Sequence, residues 1–266
     1  MENEKFIHKF KGKYFFILYN LLKIFKTDYC LNLNIFNGFY KYICFLKEYS
    51  NYIKVDNNSW FCSDIKYLYP CLKDNTPTTP LEPTYFFQDT WGARKIFENK
   101  PVHHYDIGSK ATTIGIISQF VPTTMIDIRP IDLKLLGLHF VEGSILDIPF
   151  DDNCISSLSS LCVIEHIGLG RYGDPIDAFG SEKAAKELQR VLAPGGNLYL
   201  SIPVDSESRV YFNAHRAFTR ESVLELFSQL ELIEEKYHYG RELSDKYNSD
   251  KGFGTGLFHF RKGGGV

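Results

Sequence analysis

Short apolar runs alternate with helix-like polar spacers between Val102 and Leu200, and they recur about every 20 residues. Their sequences are VHHYDIGSK, MIDIRP, HFVEGSILDIPFDDN, ISSLSSLCVIEHIG and LAPGGNLYLSIP. Strands that recur with helical spacers are typical of βα units and a parallel sheet. The pattern therefore predicts an α/β fold with a mostly parallel sheet.

The spacers and the C-terminal part add helices and strands. Apolar residues at i, i+4, i+7 and i+8 predict a sheet-packed helix over Ser181–Leu192, and Pro194-Gly195-Gly196 should end it. Helices are also predicted over residues 29–75, Ala111–Phe120 and Thr219–Gln229, and strands over Thr123–Ile128, Asn197–Ile202, Leu232–Tyr239 and Gly256–Lys262.

Three aspartates follow successive strands. Asp106, Asp127 and Asp147 are 21 and 20 residues apart, so each could present a carboxylate at the strand ends, where open α/β sheets bind ligands. The two oxygens of Asp127 match a ribose diol, and Asp147 could accept from an adenine amino group. Gly108 would let the backbone approach the ligand closely. The alternative is that the aspartates cap helices or form turns.

Asp-x-Gly at 106–108, then Asp127, Asp147 and Leu-x-Pro-Gly-Gly at 192–196, resemble the class I S-adenosylmethionine-dependent methyltransferases. The resemblance implies a Rossmann-like fold with a C-terminal antiparallel hairpin. It also implies S-adenosyl-L-methionine as the cofactor, bound by Asp106, Gly108, Ser109, Asp127, Ile128, Arg129, Asp147, Ile148, Leu161 and Cys162.

Two further segments, GLGRYGDPID (Gly168–Asp177) and FNAHRAF (212–218), are similar to a narrower, uncharacterised methyltransferase-like family. That family is classed as a domain of unknown function and is often associated with bacterial surface-polysaccharide genes. The similarity covers roughly residues 84–260. It implies O-methylation of a sugar or nucleotide sugar in capsule or lipopolysaccharide synthesis, whereas the residues alone indicate a cofactor and a polar acceptor.

The first loop departs from the Gly-x-Gly-x-Gly of this class, because it reads Gly108-Ser109-Lys110-Ala111-Thr112. The methionine end of the cofactor would then lie differently, and we expect Lys110 to point to solvent, away from a sulfonium. The missing glycines support an alternative, a non-catalytic scaffold or partner-binding protein. A nicotinamide dinucleotide enzyme would share the ribose contact, but the Pro-Gly-Gly turn and the terminal hairpin argue against it.

The candidate catalytic residues follow strands four and five. A methyltransferase acting on a hydroxyl aligns the acceptor and removes its proton. Glu165 and His166 follow the fourth strand and His215 the fifth, and histidine titrates near neutral pH; each histidine could equally be structural.

VIEH also resembles the Glu-x-x-Glu-His metal motif of small-RNA 2′-O-methyltransferases and ubiquinone-pathway O-methyltransferases. That resemblance implies a divalent ion on Glu165, His166 and His215. Cys162 replaces the first glutamate, so we do not favour a metal.

Gly168–Asp177 is predicted to be a loop over the site. Arg171, Tyr172 and Asp174 could bind sugar hydroxyls or a phosphate, and Arg216 could clamp an anionic group. A solvated surface loop is the alternative.

Composition limits the partners. Lys+Arg of 30 against Asp+Glu of 32 gives a net charge of −2, which argues against nucleic-acid binding. The 44% hydrophobic content excludes global disorder. The six cysteines have neither a CxxC pair nor zinc-like clustering, which fits a reduced, cytoplasmic setting.

The chain divides into three predicted parts. Residues 1–83 form an aromatic-rich helical extension and a proline-rich linker, 84–262 the cofactor-binding domain, and 263–266 a tail. A helix over Tyr85–Phe97 should cap the sheet, with Phe86 and Trp91 at the ligands or in packing. Residues 1–28 have a basic start and an apolar centre, Phe15–Phe25, which is too short to span a bilayer. They are interpreted as a helix packed on the domain or an amphipathic helix on the inner membrane surface.

Overall fold

A computed structural model of the chain describes residues 34–264, which form two compact units that divide after Pro80. Residues 1–28, with their predicted helix, lie outside the described residues. None of the helices within the described range is long and apolar enough to cross a membrane.

The first unit contains helix α1 (Asn34–Val55) and a 3-10 turn at Ile65–Tyr67. The Tyr49 hydroxyl donates to the carbonyl of Ser63 at 2.7 Å, and the Ser63 hydroxyl donates to Asp56. These bonds fold the chain after α1 back onto the helix. Regular structure in the described part of residues 29–75 is therefore limited to α1 and the turn.

The second unit is built on a sheet in the order β3-β2-β1-β4-β5-β10-β8-β9. Strands β1 to β5 are parallel, and β10 lies antiparallel between β5 and β8. The predicted mostly parallel sheet with a C-terminal antiparallel hairpin is thus confirmed. Its strands are β1 (His104–Ile107), β2 (Thr123–Asp127), β3 (Leu138–Glu142), β4 (Ile155–Leu161), β5 (Leu192–Val204), β8 (Leu230–Tyr239), β9 (Glu242–Ser244) and β10 (Gly254–Lys262), with β6 (Arg209–Tyr211) and β7 (His215–Ala217) in a separate two-stranded sheet.

Helices cover both faces of the large sheet. They are α2 (Pro83–Asn99), α3 (Ala111–Ile117), α4 (Gly180–Val191) and α5 (Arg220–Leu226). One core cluster joins Leu188 of α4 and Val223 of α5 to Leu198, and the other joins α2 and α3 to Tyr199. Neighbouring residues of β5 thus face opposite cores, because strand side chains alternate between faces.

The Pro-Gly-Gly turn differs from its prediction. Strand β5 begins at Leu192, directly after α4, and its register against β4 shifts between Ile155 and Ser157. A Cβ on Gly196 would lie 2.9 Å from the carbonyl oxygen of Ile155. The glycine therefore permits close approach of two backbones at an irregularity within the sheet.

The strand order reverses at β1. The chain passes from β1 to β2 and β3 on one side and then returns to β4 on the other. Such a switch point opens a crevice at the carboxyl ends of the strands, where ligands of open α/β sheets bind.

Candidate functional site

Two adjoining cavities open at the carboxyl ends of β1, β2 and β4. The first, of about 420 Å³, extends to the loop after β3, and the second, of about 400 Å³, extends to α2 and the start of α3. Both are large enough for a small molecule. The residues that line both are Gly108, Asp127, Arg129, Cys162, His166 and Tyr172.

Asp127 is the buried acidic group at this junction. Its side chain is 9% exposed, and its Oδ1 accepts from the backbone N–H of Arg129 at 2.8 Å. Of the other predicted cofactor residues, Gly108, Ile128, Arg129 and Cys162 line the first cavity, and Ser109 and Leu161 line the second.

The first cavity could hold an adenosyl group. Its walls include Ile128, Ile145, Leu146 and Val163, which suit a flat purine, and Asp127 supplies a carboxylate for a ribose diol. Gly108 has φ +71°, and a Cβ there would lie 2.8 Å from Cγ1 of Val163. The first loop therefore crosses directly against the loop after β4.

Gly108→Ala is expected to lower the free energy of unfolding by about 2–3 kcal/mol, from left-handed backbone strain and from the contact with Val163. Gly195→Ala is the matched control, because Gly195 has φ +75° and no atom of the described residues lies within 4 Å of the place its new methyl group would take. Chemical denaturation measures both. Equal losses of unfolding free energy in the two variants would show that the contact with Val163 contributes nothing to the loss in Gly108→Ala.

Asp106 lines neither cavity. It is fully buried inside β1, accepting from the N–H and hydroxyl of Ser109 at 3.0 and 2.6 Å and from the hydroxyl of Ser159. Burial raises the pKa of Asp106 to about 7. Strand β1 continues to Ile107, so this carboxylate faces β4 and holds the Gly108–Ser109 loop, in contrast to the predicted cofactor contact.

Asp147 and Ile148, which were also predicted to contact the cofactor, line neither cavity. Asp147 is exposed and Ile148 is in the core. Strand β3 already ends at Glu142, and the chain turns at once, with the Leu146 N–H donating to the Ser144 hydroxyl at 3.1 Å. Ser144, Ile145 and Leu146 therefore line the first cavity.

His166 lies at the junction of the cavities. Its Nδ1 is 2.7 Å from the carbonyl oxygen of Ala214. A carbonyl only accepts, so Nδ1 carries the proton and Nε2 keeps its lone pair. Burial lowers the pKa of His166 to about 4, which leaves the ring neutral at pH 7.

Glu165 lies behind His166 and lines neither cavity. Its side chain is 1% exposed, with Oε1 3.6 Å from Nε2 of His166, and Oε2 has no hydrogen-bond partner among the described residues. Burial raises the pKa of Glu165 to about 8. The carboxyl group is therefore mostly protonated at pH 7 and is a neutral neighbour of the imidazole.

His215 lines neither cavity, unlike His166. Its ring packs with those of Tyr211 and Phe253, with centroids 5.1 and 5.4 Å away, and those two rings also contact each other. Its position in the β6–β7 sheet favours the structural interpretation over a catalytic one.

The loop after β4 contributes Tyr172 to both cavities. The Arg129 guanidinium lies over the Tyr172 ring at 4.7 Å and the Arg171 guanidinium at 5.1 Å. Arg171 also donates to the carbonyl of Ala214 at 2.8 Å. Two arginines therefore meet one aromatic ring at the mouth of the site.

Asp174 lines the first cavity, but its carboxylate accepts from three N–H groups of its own loop, those of Gly168, Gly170 and Tyr172. Closing the loop, rather than binding a sugar, accounts for its geometry.

Arg216 was predicted to clamp an anionic group of the ligand, but it lines neither cavity. It is 8% exposed and donates to the carbonyls of Ile167, Asp177 and Ala178 at 2.6 to 3.3 Å, and to the Ser181 hydroxyl. Because these acceptors occupy the guanidinium, Arg216 joins the loop after β4 to α4.

Helix α2 supplies a residue that the sequence pattern missed. Tyr85 lines the second cavity, and the Lys110 Nζ lies 4.6 Å from its ring centroid. Lys110 is exposed, as predicted, but it lies at the rim of this cavity. Trp91 instead packs edge-on against Tyr199 and donates to Glu234 at 3.0 Å.

Within residues 34–264, no group of three or more His, Cys, Asp or Glu side chains is arranged to hold a metal ion. Glu165 and His166 adjoin, but the Nδ1 of His166 is bound to a carbonyl and the ring of His215 packs with two aromatic rings.

A family model described as "Caenorhabditis protein of unknown function, DUF268" matches residues 152–253, less than half of the chain. The matched range includes both GLGRYGDPID and FNAHRAF. A comparison with curated proteins found no match.

Solved structures resemble the chain at low identity. A Galdieria sulphuraria protein assigned as a sarcosine dimethylglycine methyltransferase has 14% identity and a TM-score of 0.52, covering 67% of this chain and 85% of its own. The (4+2)-cyclase SpnF has 14% identity and a TM-score of 0.51, covering 66% and 81%. The N-methyltransferase NodS from Bradyrhizobium japonicum WM9, in complex with S-adenosylhomocysteine, has 15% identity and a TM-score of 0.48, covering 81% and 97%.

The first two likenesses, together with the strand order, show that the second unit has the Rossmann-like fold of class I methyltransferases.

Proposed function

We propose that this chain is an S-adenosylmethionine-dependent methyltransferase that acts on a hydroxyl group. The observation that carries the proposal is the junction of the two cavities. There a buried carboxylate, Asp127, and an imidazole with an available lone pair, His166, line both cavities at once. The likeness to the Galdieria protein supports the same fold-level assignment.

Different residues of the chain would bind different parts of the cofactor. The apolar wall from Ser144 to Leu146 would pack against the purine, and Asp127 would accept from the ribose hydroxyls. Gly108 lets the first loop approach without a side chain. Bound there, S-adenosyl-L-methionine would supply a methyl group on a sulfonium.

We assign to His166 the role of taking the acceptor proton. Its Nε2 is unprotonated at neutral pH, and the Ala214 carbonyl fixes the ring through Nδ1. His166 would accept at Nε2 the proton that the acceptor hydroxyl loses on methylation, and the imidazolium formed would carry the positive charge.

The acceptor we propose is a sugar or nucleotide sugar of a surface polysaccharide. Its support is the similarity of the loop and FNAHRAF segments to the polysaccharide-linked family. Tyr172, with Arg129 and Arg171 over its ring, offers an aromatic surface and cationic donors at the mouth, which suit a sugar ring and a phosphate.

A second candidate is a protein of this fold that transfers no methyl group. SpnF is described as a cyclase although it shares the fold, so the fold by itself does not determine the reaction. A non-catalytic scaffold belongs to the same class of alternatives. Cofactor binding without methyl transfer to any acceptor would favour this candidate.

Asp127→Asn is expected to weaken binding of S-adenosylhomocysteine by about 1–3 kcal/mol, because a buried charged acceptor of two hydroxyls becomes neutral. Calorimetric titration of the wild type with S-adenosylhomocysteine, S-adenosylmethionine and NAD provides the reference. Asp151→Asn, an exposed residue that lines neither cavity, is the charge-matched control. Unchanged affinity in Asp127→Asn would remove Asp127 from the cofactor site, and preferential NAD binding would contradict the proposal.

A further inference from the structure

Lys110 is a cation at the second cavity that has no acidic partner among the described residues. The cavity is lined by two basic side chains, Lys110 and Arg129. Arg129 faces Asp127, with Nε 3.4 Å from Oδ1. Among residues 34–264, Lys110 forms no ion pair, and its Nζ lies instead over the ring of Tyr85 at 4.6 Å. This contact holds the ammonium at the rim of the cavity.

The first loop has little else to offer an anion. The Ser109 N–H and hydroxyl both donate to Asp106, and the hydroxyl also accepts from the Leu161 N–H at 2.9 Å. Asp127 at the junction would repel a negative charge. Within the described part of the chain, the Lys110 ammonium is therefore the positive charge left free on this side of the cavity.

The shape of the site directs one charged group toward this lysine. With the adenosyl group in the first cavity and the ribose at Asp127, the rest of the cofactor passes between Gly108 and Cys162 into the second cavity. That remainder is an amino acid, and it carries one carboxylate.

We propose that Lys110 binds the carboxylate at the amino-acid end of the cofactor, and so selects ligands that carry it. This inference rests on the proposed function. It gives the unusual Ser-Lys-Ala sequence of the first loop a positive role, because a side-chain cation supplies what the occupied N–H groups of Gly108 and Ser109 cannot.

The test is calorimetric titration with two ligands that differ by this carboxylate, S-adenosylhomocysteine and its decarboxylated analogue S-adenosyl-3-thiopropylamine. The wild type should bind S-adenosylhomocysteine about fivefold more tightly than Lys110→Gln does, the upper range for an exposed ion pair. Lys110→Gln should bind the decarboxylated analogue as the wild type does, and Lys110→Arg should restore most of the difference. Added salt should narrow the difference between the affinities of the wild type for the two ligands.

Lys186→Gln is the matched control, because Lys186 is exposed on α4 and lines neither cavity. A Lys110→Gln variant that binds S-adenosylhomocysteine within twofold of the wild type would overturn the inference while leaving the proposed function intact. So would an equal loss for both ligands, which would indicate a damaged cavity. A wild type that binds neither ligand would overturn the proposed function, and the inference with it.

Discussion

His166→Gln is expected to lower kcat by about 10²–10⁴-fold, the usual contribution of a positioned general base, while affinity for S-adenosylhomocysteine stays within about twofold. The Gln amide nitrogen can occupy the position of Nε2 but has no basic lone pair there, and the bond from Nδ1 to the Ala214 carbonyl is lost. Transfer of labelled methyl groups from S-adenosylmethionine to the sugars or nucleotide sugars that the wild type accepts would measure the loss.

The matched comparison is His215→Gln, which changes the other candidate histidine. His215 packs with Tyr211 and Phe253 and lines neither cavity, so its loss should reduce kcat far less. The reverse ranking would identify His215 as the base. Burial lowers the pKa of His166 to about 4, so protonation of this residue should not reduce the rate between pH 6 and 8.

Glu165→Gln is expected to change how stability depends on pH. Burial raises the pKa of Glu165 from 4.5 to about 8 in the folded protein. A raised folded-state pKa contributes stability that is complete below about pH 4.5 and is lost as the pH rises through about 8. The variant carries a neutral group at every pH, so its stability relative to the wild type should rise by a few kcal/mol between pH 5 and pH 9.

Denaturant titrations of both proteins at pH 5, 7 and 9 measure this difference. Taking the difference cancels Asp106, whose pKa is also raised by burial, because both proteins contain it. Glu182→Gln is the control, since Glu182 is an exposed residue of α4. A constant difference between wild type and Glu165→Gln across this range would mean that Glu165 is ionised in the folded protein.

The sheet could be predicted because short, local sequence patterns determine where its strands lie. Apolar runs with helical spacers specify βα units, and parallel strands place Asp127 at the carboxyl edge whatever the details of packing. Asp106 and Asp147 show the limit of this reasoning. A first strand that continues through Asp106 to Ile107 turns the first aspartate into the sheet, and a third strand that already ends at Glu142 leaves the second exposed.

Tertiary contacts determine the rest of the site. Nothing near Lys110 in sequence indicates Tyr85, which lies 25 residues earlier on another helix. An arginine in a loop suggests an anion, but Arg216 meets carbonyls brought together by the loop after β4 and the start of α4. Orientation of a side chain toward a ligand or toward its own backbone depends on that packing.

The partner that fixes the His166 ring is a main-chain oxygen, contributed by the turn between β6 and β7. Every amino acid carries that oxygen, so the type of residue at position 214 is largely free to vary, whereas the length of the turn is not. Replacing the side chain of Ala214 would therefore leave the hydrogen bond to His166 intact. A one-residue insertion in the turn would break it, because it would move the carbonyl away from the imidazole.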